Sequence, residues 1–185
     1  MRKIIVTEFL TLDGVMEAPN EWSFPYWNDE IGTFKLDELF ASDALLLGRV
    51  TYDGFAAAWP SQSDEAGFAD RMNGVAKYVV STTLKDATWN NSTIIAENVA
   101  EEVGKLKQQP GQDILIAGSA NLIGTLMRDN LIDEFQMLVY PVVLGKGKRL
   151  FPDGIDATLK LIESKPYDSG VVLLRYHVLP KDAAK

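Results

Sequence analysis

The sequence predicts one α/β domain, with a central sheet that is mainly parallel at first and antiparallel at its C-terminal end. Two observations carry this expectation. Short runs of apolar, β-branched residues alternate with segments of helical periodicity up to about residue 140. Beyond that point only strand-like runs remain. A third observation sets the scale: 185 residues, 46% of them hydrophobic, suffice for one sizeable core.

Lys3 to Leu10 has the composition of a buried strand, and Thr11-Leu12-Asp13-Gly14 ends it. A polar, aromatic loop follows through Pro19, Asn20, Trp22 and Pro25. Leu36, Leu39 and Phe40 fall at helical spacing and predict a helix from Glu30 to Ala41. Ala44 to Leu47 is a second apolar strand closed by Gly48, and Arg49 to Ala58 reads as helix, stopped near Trp59-Pro60. Short strands are expected at Lys77–Ser81 and Thr93–Ala96. Val99, Val103 and Leu106 then repeat as a helix before Pro110-Gly111. Asp113 to Ala117 is a strand, and Gly118 turns it into a helix carrying Leu122, Ile123, Leu126 and Met127. Phe135, Met137 and Val139 open a long strand ending at Pro141; two more follow around Leu159–Ile162 and Val171–Val178. No linker or repeat divides the chain, so one domain over 1–180 with a polar tail, 181–185, is expected.

The formal charge of -8 argues against a nucleic-acid partner, which requires clustered Lys and Arg. The absence of cysteine excludes disulfides, thiol nucleophiles and cysteine metal sites. The lone histidine, His177, sits in an alternating strand and reads as structural, so no metal site is expected. No apolar span approaches membrane-crossing length, and Met1 to Glu8 is too short for a signal peptide. Cytoplasmic residence and no membrane partner are the expectation.

In open α/β sheets ligands collect at the carboxyl ends of strands. Three such ends leave an apolar strand through small or polar residues. Gly48-Arg49-Val50-Thr51-Tyr52 offers a helix N-terminus with a charge and a hydroxyl, or simply a decorated helix start. Gly118-Ser119-Ala120-Asn121 offers close backbone approach to a phosphate, or an ordinary turn with Ser119 as N-cap. Ser81-Thr82-Thr83 presents three hydroxyls that hold a ribose phosphate or form a capped turn. A fourth segment, Pro141 to Phe151, contains a Gly-Lys-Gly-Lys-Arg core suited to an anion or to solvent. The G-x-G-x-x-G dinucleotide fingerprint is missing.

In order and spacing these segments resemble the reductase domain of bacterial riboflavin biosynthesis, the C-terminal domain of a bifunctional deaminase-reductase. That domain is a branch of the dihydrofolate-reductase-like superfamily. The resemblance rests on Gly48-Arg49-x-Thr51, on Ala117-Gly118-Ser119, and on Tyr140-Pro141 followed by Leu144-Gly145-x-Gly147-Lys148-Arg149-Leu150-Phe151. It implies a three-layer α-β-α fold and an NADPH cleft. Gly48, Arg49 and Thr51 would contact the cofactor phosphates, and Ser81, Thr82 and Thr83 the adenosine and its 2′-phosphate. Gly118, Ser119, Ala120 and Asn121 would meet the pyrophosphate. The implied chemistry is hydride transfer to a small planar substrate, pyrimidine- or pterin-like. The sequence departs from the fused enzyme: one His and no Cys leave no zinc deaminase, so a free-standing member is expected. Alternatives are a dihydrofolate or pterin reductase, and a non-catalytic nucleotide-binding protein that kept the fold.

Reducing C=N or C=O also requires a proton. Asp13 is the first candidate donor, because by the resemblance its segment borders the substrate cleft; the rival reading is a simple Asp-Gly turn. Trp22, Phe24, Tyr26 and Trp27 form an aromatic cluster that stacks on a flat heterocycle or covers the nicotinamide, or else packs the loop to the sheet or serves a subunit interface. Asp13, Trp22, Tyr26 and Tyr140 are the expected substrate contacts. The resemblance also implies a homodimer.

Overall fold

The computed structural model describes residues 1–180; the expected polar tail, 181–185, lies outside the described residues. In chain order the strands and helices are β1 (Ile4–Thr11), α1 (Asp29–Phe40), β2 (Ser42–Gly48), α2 (Arg49–Ala58), α3 (Phe68–Gly74) and β3 (Ala76–Val80). They continue with β4 (Ser92–Ile95), α4 (Val99–Gln108), β5 (Asp113–Ile116), α5 (Ala120–Arg128), β6 (Glu134–Tyr140), β7 (Leu159–Pro166) and β8 (Val172–Val178). The strands form one sheet in the order β4-β3-β2-β5-β1-β6-β8-β7. The first six are mutually parallel, and β8 and β7 close the edge antiparallel.

Why the central strands read as unbroken apolar runs is visible in their packing. Both faces are covered, so inward and outward positions are equally dry. Ile4, Val6, Ala44, Leu46, Ile114 and Ile116 pack with Val103 of α4 and with Leu122, Ile123 and Leu126 of α5. The alternate positions Ile5, Leu45, Leu47 and Leu115 pack with Leu39 of α1, Tyr52 of α2 and Met72 of α3. The period of two along each strand thus assigns α1, α2 and α3 to one layer and α4 and α5 to the other.

Local signals fix the helix ends. The Asn28 side chain accepts from Ile31 N–H at the start of α1, with Asp29 and Glu30 favouring its positive end. Ser119 caps α5 by accepting from Leu122 N–H. Helix α3 was not expected. The Asp64 carboxylate starts it, accepting from Phe68 N–H at 2.9 Å and Ala69 N–H at 2.7 Å. Strand β7 also runs to Pro166, four residues past its expected end.

Candidate active site

At its carboxyl end β2 passes through Gly48 into α2, on one face of the sheet. Its neighbour β5 passes through Ala117-Gly118-Ser119 into α5, on the other. Parallel neighbours whose following helices depart to opposite faces leave a crevice between them, the usual ligand position in open α/β sheets.

The two turns interlock. A Cβ on Gly48 would collide with the Ser119 hydroxyl. A Cβ on Gly118, whose φ is +87°, would lie 2.7 Å from Thr51 Oγ1. Only glycine fits at either position, because the Ser119 and Thr51 side chains lie directly against the opposing glycine backbone and lock the two helix starts together. Ser119 extends that line with Ala120 buried and Asn121 exposed in the first turn of α5. Gly48 pairs with Val80 of β3, so Ser81 lies in the same row of strand ends. Its hydroxyl accepts from Thr83 N–H at 3.2 Å and Leu84 N–H at 2.9 Å, which folds the segment back and leaves Thr82 and Thr83 exposed. Arg49 is half exposed and donates to Asp53 on its own helix at 3.1 Å. The structure therefore gathers Gly48, Thr51, Gly118 and Ser119 tightly, with Ser81–Thr83 beside them and Arg49 turned along α2.

The expectations for proton donor and substrate platform fare differently. Asp13 accepts from Thr11 Oγ1 at 2.6 Å, Gly145 N–H at 2.8 Å and Leu144 N–H at 3.3 Å. The Thr11 hydroxyl, then the Gly145 N–H, hold its carboxyl down at about 2. Through these three contacts Asp13 ties the first loop to the Gly145 loop. The four rings expected to stack divide: Trp22 is buried and Tyr26 partly so, while Phe24 and Trp27 are exposed. Trp22 and Tyr140 are buried, with ring centroids 5.3 Å apart, among Ile31, Leu138, Tyr167 and Leu173. Tyr26, partly buried, packs edge-on to Tyr140 at 6.0 Å. Trp22 further donates its indole N–H to Glu17 O at 3.0 Å. Packing of the loop onto the sheet accounts for these three rings.

Sequence reasoning missed the polar groups of β1 itself. Val6 pairs with Ile116, so two residues further on Glu8 stands level with Gly118, on the α5 face. Its side chain is buried and Oε1 has no hydrogen-bond partner. Burial pushes its carboxyl up to about 8, against the pull of the Gly118 N–H and of Lys35, while Glu38 adds to the rise. On the opposite face Thr7 Oγ1 donates to Glu38 Oε1 at 3.1 Å, and Lys35 Nζ donates to Thr7 Oγ1 at 3.0 Å and to Glu38. Thr7 and Glu38 are buried, and Glu38 Oε2 lacks a partner. The only signal in the sequence was a glutamate inside an apolar strand.

The chain is similar to known proteins over nearly its whole length. The family model described as RibD C-terminal domain matches residues 2–173. Protein YyaP of Bacillus subtilis (strain 168) is 36% identical over 181 residues, covering 95% of each chain. A putative riboflavin biosynthesis protein from Shewanella sp. PV-4 superposes with a TM-score of 0.77 at 19% identity, over 96% of this chain and 99% of that one. Dihydrofolate reductase from Enterococcus faecalis, solved with NADP(H), superposes with a TM-score of 0.65 at 15% identity, over 96% and 97%. The fold is dihydrofolate-reductase-like.

Proposed function

This chain belongs to the RibD C-terminal domain family, and from that premise we propose that it is an NADPH-dependent reductase of a small planar substrate, pyrimidine- or pterin-like. The observation that carries the proposal is the interlocking of the two strand-to-helix turns. Gly48 packs against Ser119 and Gly118 against Thr51, so closely that neither glycine could carry a Cβ. That contact holds the starts of α2 and α5 side by side, and their free N–H groups suit an anionic diphosphate.

In this reading Gly48, Thr51, Gly118, Ser119 and Ala120 hold the diphosphate by backbone and hydroxyl donors. Thr82 and Thr83, exposed at the adjoining strand end, face the adenosine side. Arg49 supplies a cation by exchanging its Asp53 partner for phosphate. Reduced nicotinamide supplies hydride when bound, and the protein's part is position and electrostatics. Substrate binds on the α1 side of β1, where Lys35 offers donors and Glu38 an acceptor.

Titration of the protein with NADPH and NADH, followed by quenching of its four tryptophans, tests the proposal. Saturable binding, tighter for NADPH, is expected, with loss of affinity in Gly118→Val. Absence of binding by either nucleotide would overturn it.

A further inference from the structure

Glu8 is an unusual occupant of its position. It lies in a strand of Ile, Val, Phe and Leu, where burying a carboxyl costs more than burying any of those neighbours. Only 8% of the residue is exposed. Register puts it level with Gly118, the residue at which β5 turns toward α5. The Gly118 N–H acts on one part of the carboxyl, and Oε1 is left without a partner. On its other side β6 supplies Met137, which is apolar. The charged groups acting on it are Lys35 and Glu38 of α1, while the basic residue of α5, Arg128, is at that helix's far end.

We propose that Glu8, buried beside the Gly118 turn with one carboxyl oxygen unpartnered, is a positioning residue for the dinucleotide: its charge state sets how firmly the start of α5 holds the diphosphate. The inference rests on the reductase reading above and deepens it. The physical reason is the start of α5. A helix N-terminus attracts an anion through roughly half a positive charge. A carboxylate beside Gly118, two residues before α5 begins, offsets that charge and repels the diphosphate directly. The neutral acid leaves the anion site intact. Burial pushes the carboxyl up to about 8, so the change in charge is expected just above neutrality.

The test is the dissociation constant of NADPH and of NADH from pH 6.5 to 9.5, for the wild-type protein and for Glu8→Gln. For the wild type, affinity is expected to hold to about pH 7.5 and then weaken roughly tenfold for both nucleotides, the scale of one half-screened charge pair. Glu8→Gln should bind with a flat profile near the wild-type low-pH value. NADH lacks the 2′-phosphate, so a decline seen with both nucleotides does not come from that group. A flat wild-type profile with tight binding would overturn the inference and leave the reductase reading standing. So would an equal decline in Glu8→Gln, or a loss in that variant by one factor at every pH, which a merely structural role would give. No binding by the wild type at any pH would overturn both. If Glu8→Gln does not fold, Glu8→Met takes its place as the uncharged variant, with the same flat profile expected and an equal decline overturning the inference.

Discussion

Glu8 and Asp13 are carboxyls five residues apart, and their surroundings drive them in opposite directions. Asp13 is met by a hydroxyl and two backbone N–H groups and stays ionised. Glu8 is met by apolar side chains and keeps its proton. For Glu8 the sign of the linkage is definite. A carboxyl whose folded value lies above its unfolded value loses stability as pH rises between the two. The melting temperature should therefore fall as pH rises from about 4.5 to 8, and Glu8→Gln should flatten that decline in a thermal scan. Asp13→Asn should leave the fold intact and speed hydrogen exchange at the amides of Leu144 and Gly145. Lys77 presents a third environment. It is wholly buried, and its ammonium donates to the carbonyls of Asn73, Val75 and Asn90 while lying 4.2 Å from the Trp89 ring. Lys77→Met would orphan three carbonyls and should cost about 2–4 kcal/mol in denaturant unfolding. None of these three states can be read from residue type, because each follows from what the fold places around the group.

Among elements, the strand-to-helix turns were the most legible in sequence. Gly48 and Gly118 each follow an apolar run and precede a helical pattern, and both do what that grammar suggests. That Gly48 faces Ser119 and Gly118 faces Thr51 was not legible. It depends on β5 inserting between β2 and β1, a consequence of sheet order rather than of local sequence. Helix α3 escaped because its seven residues carry too few apolar positions for a period to show. The packing of Trp22 and Tyr26 on Tyr140 was not legible, because that ring is remote from them in sequence. Gly118→Ala tests the turn at this scale. Positive φ and the 2.7 Å approach to Thr51 should cost about 1–3 kcal/mol and weaken nucleotide binding. Combining it with Thr51→Ser would relieve only the part of the clash made by the Thr51 methyl.

At the scale of the molecule, the order of strands makes the site. Six parallel strands expose their carboxyl ends along one edge, and helices leaving to both faces open that edge between β2 and β5. The antiparallel pair β8 and β7 extends the sheet away from it. There, a groove of about 540 Å³ lies between α1 and β6, β8 and β7, lined by Glu38, Gln136, Glu163, Lys165, Tyr167 and Arg175 among others. Among the described residues no helix is long and apolar enough to cross a membrane, and no group of three or more His, Cys, Asp or Glu is placed to hold a metal ion. The interlocked turns share no residue with the lining of this groove, so ligand at one is told from ligand at the other by location. Backbone amide shifts should be mapped while NADPH is added to isotope-labelled protein. The account requires the largest changes at Arg49 to Tyr52, Ser81 to Thr83 and Gly118 to Asn121. Changes confined to the residues lining the groove beside α1, with those three segments unmoved, would contradict it.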